Sequence, residues 1–427
     1  MSSEGIPSKK EVEFIIFGGT GDLSRRKLIP AIDRIKDRIN LKKVFILGRK
    51  REKFEKIKES VSEKLREKLI FVEFEINNKE SYKKLGNLLN KEFLKVFYLA
   101  IPPYLFKEAL EGIGRFLNLP LKRIVVEKPY GLSLNNAKAL NRVVKKYFKE
   151  EEIYRIDHFL GKPQVQNILS FRFSNPIFYE LMNRHYVDEI FILALEREGV
   201  EGREAYYDRV GALRDMVQNH MLMLSLFTVM DFPSSPDEFH SEIKRTLKFF
   251  EFVKESLRRG KYKSYKGGVE TFVYVELSVK NGRWEGVPIR IITGKKLKEK
   301  RTEIKIRFKN IKSLERIIGC TPEDNLLTFN IYPENGVSLS VNLISPYGFL
   351  RCAQSKEWKL YLKEALGDIP DAYESLLTDI ISGDRTLFLD DEEVELLWEI
   401  TEPLLEYAKK VPIEVYEDYS NPPIGLS

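Results

Sequence analysis

Hydrophobic positions in the first third of the chain fall into short β-type runs separated by stretches with helical spacing. Val12–Phe17, Val44–Leu47, Ile70–Glu75, Val96–Ala100 and Arg123–Glu127 read as strands. Between them, Leu23–Lys36, Lys53–Leu69, Ser81–Leu89, a segment from Tyr104, and Leu134–Phe148 read as amphipathic helices. Strands that alternate with helices connect by crossovers, which build a parallel sheet covered on both faces. The pattern predicts a Rossmann-type, doubly wound α/β domain over residues 1–157.

Beyond that point the grammar changes. Ile190–Glu196, Thr271–Val279, Pro288–Thr293, Glu303–Phe308, Leu326–Tyr332 and Val337–Leu343 are strand-like, and Val273, Val275, Leu277 and Val279 recur with period two. Such alternation predicts a large, mainly antiparallel sheet with one polar-tolerant face. Gly211–Met230, Glu238–Arg258 and Glu393–Tyr407 are expected helices covering its other face. Residues 158–427 are therefore expected to form an α+β domain, with a cleft where the two halves meet.

The length of 427 residues is ample for two cores. No apolar run approaches bilayer thickness, and Met1–Lys10 lacks the apolar core of a secretory signal. A cytoplasmic protein with no membrane partner is the expectation. Cys320 and Cys352 stand far apart and outside metal-ligand spacing, so neither a disulfide framework nor a metal site is expected. The net charge of +7 raises the question of nucleic acid. Basic residues are interleaved with Glu and Asp almost everywhere, however, so a solvated charged surface and no nucleic-acid partner are expected. Gln occurs only at positions 164, 166, 218 and 354 while Lys and Glu abound, a bias that suggests heat adaptation.

The first strand runs into Gly18-Gly19-Thr20-Gly21-Asp22-Leu23 and then a helix. A tight glycine turn there lets backbone amides approach a pyrophosphate. The spacing is not GxGxxG, and an ordinary strand-to-helix turn is the competing reading. Strand two ends in Leu47-Gly48-Arg49-Lys50-Arg51, without the carboxylate that an NAD site uses on the ribose hydroxyls. Guanidinium groups suit a 2′-phosphate, which favours NADP over a merely basic surface loop. Arg155-Ile156-Asp157-His158-Phe159-Leu160-Gly161-Lys162 lies at the expected junction. If a helix begins there, His158 and Lys162 share a face and form a cationic pair suited to phosphate. In Gly211–His220, His220 sits among apolar neighbours, where a satisfied core histidine is the commoner case, and Asp215 could be only a helix-start carboxylate.

Taken together, these segments resemble the glucose-6-phosphate dehydrogenases. The matching motifs are Gly18–Leu23 with Arg26-Lys27, Glu127-Lys128-Pro129, Arg155–Lys162, and Gly202-Arg203 leading to Tyr206-Tyr207-Asp208. They continue through Asp215–His220, Trp284-Glu285-Gly286-Val287-Pro288, Gly294-Lys295 and Gly383-Asp384-Arg385-Thr386-Leu387-Phe388, in order along nearly the whole chain. The resemblance implies oxidation of C1 of glucose 6-phosphate to 6-phosphogluconolactone with hydride transfer to NADP, the opening step of the oxidative pentose phosphate pathway. It implies His220 as general base, oriented by Asp157. His158, Lys162, Lys295 and Lys300 would grip the phosphate, and Glu196 and Asp215 would bond sugar hydroxyls. Lys128 would touch both substrate and cofactor. Gly18, Gly19, Thr20, Gly21, Asp22, Leu23, Arg49, Arg51 and Ala100 would complete the cofactor site. A homodimer is implied, with a tetramer as the alternative.

Two other readings compete: a sugar dehydrogenase acting on an unphosphorylated substrate, and a redox-silent NADP-binding sensor. The four cations assigned to the phosphate argue against the first, and the retained base and orienter against the second. The chain departs from the family pattern at Phe159 (usually Tyr), Pro163 (usually Glu) and Thr293 (usually Ser or Cys). The missing hydroxyl predicts weaker phosphate binding with intact chemistry. Restoring it in Phe159→Tyr is expected to lower KM for the sugar phosphate up to about tenfold, the worth of one neutral hydrogen bond. An unchanged KM in steady-state assays would remove that hydroxyl as a cause.

Overall fold

The computed structural model describes residues 10–310, 321–343 and 353–424. Cys320 and Cys352, and all but the last residue of Met1–Lys10, lie outside the described residues. The chain divides into two compact units, Met1–Lys162 with Pro370–Glu395, and Pro163–Ile369 with Leu396–Ser427.

The first unit is built on six strands: β1 (Glu11–Phe17), β2 (Asn40–Gly48), β3 (Leu69–Glu73), β4 (Leu94–Leu99), β5 (Lys122–Val126) and β6 (Ile153–Arg155). They pair in the order β3-β2-β1-β4-β5-β6, every pairing parallel. This is the doubly wound order expected from the alternating pattern, with the reversal of direction between β1 and β4. Val12, Phe14, Ile15 and Ile16 of β1 are all fully buried, as a strand covered on both faces requires. The predicted helix Lys53–Leu69 is instead two, Arg51–Glu59 and Glu63–Arg66. Local hydrogen bonds make the break: Ser60 Oγ donates to Ile57 O at 2.8 Å, and Ser62 N–H to Asp33 Oδ2 at 2.9 Å.

Pro370–Glu395, expected within the domain 158–427, belongs to this first compact unit. Its helix Ala372–Ser382 contributes Leu376, Leu377, Ile380 and Ile381 to the same core as Ile29, Ile32 and Ile35. Arg34 and Glu374, 340 residues apart, form an ion pair between the two segments. Gly383, with φ of 97°, ends the helix in the left-handed conformation that glycine favours. The following residues fasten back: Phe388 meets Tyr154 edge-on at 4.9 Å, and Arg385 donates to Glu150 at 3.0 Å. Glu150 also pairs with Arg155, which is buried and donates to Leu389 O at 3.2 Å.

The second unit carries β7 (Val187–Leu195), β8 (Phe250–Tyr262), β9 (Phe272–Val279), β10 (Ile289–Gly294), β11 (Arg301–Phe308), β12 (Leu326–Tyr332), β13 (Gly336–Leu343), β14 (Gln354–Tyr361) and β15 (Ile413–Tyr416). Among the described residues they form one sheet in the order β14-β13-β12-β11-β7-β10-β9-β8-β15. Only β7–β10 and β8–β15 pair in parallel, so the sheet is mixed and mainly antiparallel, as expected. Val273, Val275, Leu277 and Val279 all point to its buried side. The predicted helix Glu238–Arg258 is corrected: helix Phe239–Leu247 ends there and β8 begins at Phe250. A register shift between Val253 and Arg258 interrupts the period-two pattern that would have marked the strand. β14 and β15 were not foreseen, because β14 is largely exposed and β15 is four residues long. No helix among the described residues is long and apolar enough to cross a membrane.

Glu150 is the acidic partner of a guanidinium with 2% side-chain exposure. Glu150→Gln is expected to cost about 3 kcal/mol, the low end for breaking a buried pair, because Leu389 and Asn141 still accept from Arg155. Chemical denaturation of the variant measures this directly.

Candidate active site

In the first unit, β1 ends at Phe17 and the chain turns at Gly18 with φ of +68°. A Cβ there would stand 2.3 Å from Ala100 O, and one at Gly19 would stand 2.8 Å from Ile46 Cγ2. The loop is glycine because two neighbouring strand ends leave no room for a side chain. Gly21 N–H donates to Gly18 O at 2.8 Å, closing the turn, and a π-helical segment Ser24–Leu28 leads into helix Ile29–Ile35. Beside the loop is a cavity of about 650 Å³ whose walls include Gly18, Thr20, Gly21, Arg49, Lys53 and Ala100.

Not every predicted cofactor residue faces that cavity. Asp22 instead pairs with Arg25 and Arg26 at 3.3 and 3.2 Å in the open. Arg51 is 76% exposed and pairs with Glu55 at 3.4 Å along its own helix. Lys53, three residues after Lys50 and within the first turn of that helix, takes the place Arg51 was expected to hold. Helical spacing turned Arg51 away, which composition alone does not reveal. Glu75 reaches the same cavity from beyond β3. Two cations beside a crowded glycine turn, with no carboxylate at the end of β2, fit a phosphorylated dinucleotide.

Lys128 follows β5, and the Lys128–Pro129 peptide is cis. The residue before it proves to be an organising group that sequence reasoning missed. Glu127 is buried and accepts hydrogen bonds from Tyr98 Oη at 2.5 Å and Tyr373 Oη at 3.2 Å. Burial raises its carboxyl above the ordinary range, against the pull of the two hydroxyls and of Lys128. Its partner Tyr373 lies on the segment that returns from far along the chain.

Asp157 is buried, and its Oδ1 accepts from Phe159 N–H at 2.9 Å. The segment does not begin a helix, which corrects the spacing argument for His158 and Lys162. Leu160 N–H bonds Asp157 O and Lys162 N–H bonds Phe159 O, both at 3.0 Å, as successive turns. The helix starts only at Pro163, where fixed φ and a missing N–H suit a first turn. The two side chains are gathered another way. Lys162 Nζ lies 3.7 Å from the centroid of the Phe159 ring, and the His158 ring meets the same ring edge-on at 5.0 Å.

In the second unit, His220 lies on a π-helical segment, Leu213–Met221, continuous with helix Leu222–Val229. A plain helix was expected over Gly211–Met230. Bonding from i to i+5 widens the turn and brings Asp215 and His220, five apart, toward one side. His220 is fully buried, and Asn219 Oδ1 accepts its backbone N–H at 2.5 Å. Glu270 holds the start of this segment: its carboxylate accepts from Leu213 N–H at 3.1 Å and its carbonyl from Ala212 N–H at 3.0 Å. At the far end, Arg172 donates to Phe227 O and Met230 O, and Trp284 Nε1 to Val229 O, all at 2.8 Å. Trp284 opens a motif that carried no role in the sequence reading.

Lys295, at the end of β10, is buried, and its ammonium pairs with Glu196 and lies 3.7 Å from Asp215. Burial alone would lower this ammonium, but the two carboxylates outweigh it and hold it raised. Tyr207 stacks nearby, its ring centroid 5.5 Å from Nζ. Burial and Asp215 also raise Tyr206, so the tyrosine pair belongs to this acidic cluster. Lys300 stands apart, half exposed, 3.1 Å from Glu198 and over the Tyr332 ring. The second unit thus brings Glu196, Asp215 and Lys295 into direct contact and leaves Lys300 at the rim.

Comparison with known proteins divides the chain once, near residue 168, and keeps Pro370–Glu395 with the C-terminal part. Residues 15–167 match the family described as glucose-6-phosphate dehydrogenase, NAD binding domain, and residues 169–426 the glucose-6-phosphate dehydrogenase C-terminal domain. The chain is 35% identical to the glucose-6-phosphate 1-dehydrogenase of Borreliella burgdorferi, with 92% of this chain and 91% of that one covered. It is 34% identical to the enzyme of the same name from Rhizobium meliloti, with 95% and 92% covered. Among solved structures, a glucose-6-phosphate dehydrogenase in complex with glucose 6-phosphate superposes with a TM-score of 0.88 at 27% identity, covering 98% of this chain and 96% of that chain.

The contact between Gly18 and Ala100 O sets a sharp test of the glycine loop. Gly18→Ala is expected to weaken dinucleotide binding by at least about tenfold, since a steric clash and a left-handed φ must both be relieved. Fluorescence titration with NADPH measures the change.

Proposed function

The chain belongs to the glucose-6-phosphate dehydrogenase family, and from that premise we propose that it oxidises C1 of glucose 6-phosphate to the 6-phosphogluconolactone with NADP as acceptor. The observation that carries this reading is the second-unit cluster, in which a buried ammonium is gripped by Glu196 and beside Asp215 on the two family motifs that also bear His220 and Gly294. A polyhydroxyl substrate needs this mixture of acceptors and donors. Bound NADP supplies the hydride acceptor, and Gly18, Gly21, Arg49, Lys53 and Ala100 are the residues that would hold it.

The chain's own residues do the rest. His220 removes the proton of the C1 hydroxyl as general base, with Asp157 as the carboxylate assigned to orient it. Support comes from how little either group is free to move: the His220 helix is fastened at both ends, and Asp157 Oδ1 is fixed by Phe159 N–H. His158 and Lys162, ordered by the Phe159 ring, bind the phosphate with Lys295 and Lys300. Glu196 and Asp215 bond sugar hydroxyls while compensating Lys295. Lys128, steadied by the Glu127–tyrosine contacts, aligns C1 with the nicotinamide. Assembly as a homodimer, with a tetramer as the alternative, finds support in exposed Trp358, Leu360 and Tyr332 toward the β14 edge of the sheet. A cytoplasmic location fits a substrate and cofactor of central metabolism.

The experiment follows NADP reduction by absorbance, with glucose 6-phosphate and unphosphorylated glucose side by side. Turnover confined to the phosphorylated sugar is expected. Equal turnover with glucose would reopen the reading as a dehydrogenase of neutral sugars. Loss of a general base typically lowers the rate by about 10²–10⁴, so His220→Asn is expected to reduce kcat by that order with little change in substrate binding. Near-normal kcat in the variant would take His220 out of its role.

A further inference from the structure

The strand β15 and the residues after it form a strap across the second unit. Ile413–Tyr416 pair in parallel with Arg259–Tyr262 of β8. Lys263 N–H donates to Tyr416 O at 2.9 Å, and Ser264 N–H to the Asp418 carboxylate at 3.0 Å. The strap then crosses to the turn after β10, where Tyr419 N–H donates to Lys296 O at 2.7 Å and Lys298 N–H to Ser420 O at 2.8 Å. Both residues of the first contact hold left-handed backbones, Lys296 at φ 56° and Tyr419 at φ 59°. Such conformations persist in larger side chains only where the surroundings impose them. The reversal at Lys296 separates two neighbouring lysines. Lys296 reaches outward to Glu201 and the Tyr419 ring, while Lys295 turns inward to Glu196 and Asp215.

From within the strap, Tyr416 reaches the backbone of Lys295. Its buried hydroxyl donates to Lys295 O at 2.6 Å and lies 2.9 Å from Thr271 Oγ1. Thr271 Oγ1 in turn accepts from Tyr262 N–H at 3.1 Å. Each hydroxyl has one proton, so the directions are forced. Tyr262 N–H gives to Thr271, the Thr271 hydroxyl gives to Tyr416, and the Tyr416 hydroxyl gives to Lys295 O. The other side of Lys295 is held as well, because its own N–H donates to Thr271 O at 3.0 Å. We propose that Tyr416 is a positioning residue for the reaction: through this one-directional relay the C-terminal strap fixes the backbone of Lys295 and so sets where its ammonium meets the substrate. The proposal rests on the reading of Lys295 as a substrate-binding group given above.

The test compares wild-type enzyme with Tyr416→Phe, which removes only the donating hydroxyl, and Thr271→Val, which removes the preceding link. Steady-state constants for both substrates are measured together with calorimetric binding of glucose 6-phosphate and thermal melting. The expected result in both variants is a KM and Kd for glucose 6-phosphate raised by about two- to tenfold, the worth of one hydrogen bond. kcat stays within about twofold and KM for NADP is unmoved. A purely structural role would lower the melting temperature and the active fraction, so kcat would fall at unchanged KM, and that pattern overturns the proposal. Unchanged binding in both variants, with active wild-type enzyme, overturns the strap alone. Wild-type protein that neither binds nor oxidises glucose 6-phosphate overturns the functional reading and this inference with it.

Discussion

A helix buried along its whole length must satisfy the polar groups at its ends without water, and that constraint organises the second unit. From Leu213 to Val229 nearly every residue is buried, including His220, Ser225 and Thr228. The hydroxyls of the last two turn back on Met221 O and Leu224 O within the helix. Free amides at the start find a carboxylate, Glu270, itself neutralised by Arg259 at 2.8 Å. Free carbonyls at the end find Arg172 and Trp284. An unmet buried donor or acceptor costs about 1–3 kcal/mol, so these contacts are requirements of burial before they are requirements of chemistry. Arg172 shows the strain of the arrangement. Burial, with Arg283 close by, pushes its pKa down to about 9 against the raising pull of Tyr179 and Asp231, which still leaves it charged near neutrality.

The same accounting explains which parts of the fold were legible in the sequence. Fully buried strands such as β1 and β4 announce themselves, because helices on both faces favour apolar residues along most of their length, buried Glu13 and Lys95 being the charged exceptions. β9 shows period two for the complementary reason, having one face buried. β8 hides because a bulge shifts its register and its charged outer face, with Lys254, Glu255 and Arg258, carries helix-like composition. β14 hides because its first four residues, Gln354-Ser355-Lys356-Glu357, are all polar, so its alternation begins only at Trp358. The return of Pro370–Glu395 to the first unit is invisible locally, since its partners Arg34 and Glu150 lie hundreds of residues away.

Site residues divide along the same line. Motifs fixed by backbone crowding, such as Gly18 against Ala100, could be read from sequence because only glycine answers the constraint. Residues that act by holding others could not. Glu127, Tyr373 and Tyr416 are ordinary in composition, and each matters through a contact made across long sequence separation. Helical geometry misled in one place and helped in another: it turned Arg51 out to Glu55 and brought Lys53 in. The π-helical winding near His220 leaves no signature in hydrophobic spacing, because every face of that segment is buried.

Phe159 is where loss and gain must be weighed against each other. A ring under an ammonium is worth about 0.5–2 kcal/mol, comparable to the 0.5–1.5 kcal/mol of the hydrogen bond that a tyrosine hydroxyl would make. The ring contact with Lys162, however, does not depend on the para position, since a tyrosine presents the same face. It therefore cannot compensate for the missing hydroxyl; it only keeps the lysine ordered in its absence. With the phosphate roles proposed for His158, Lys162, Lys295 and Lys300, recognition would lean on charge placement rather than on neutral donors, and would be more sensitive to ionic strength than a hydroxyl-assisted site.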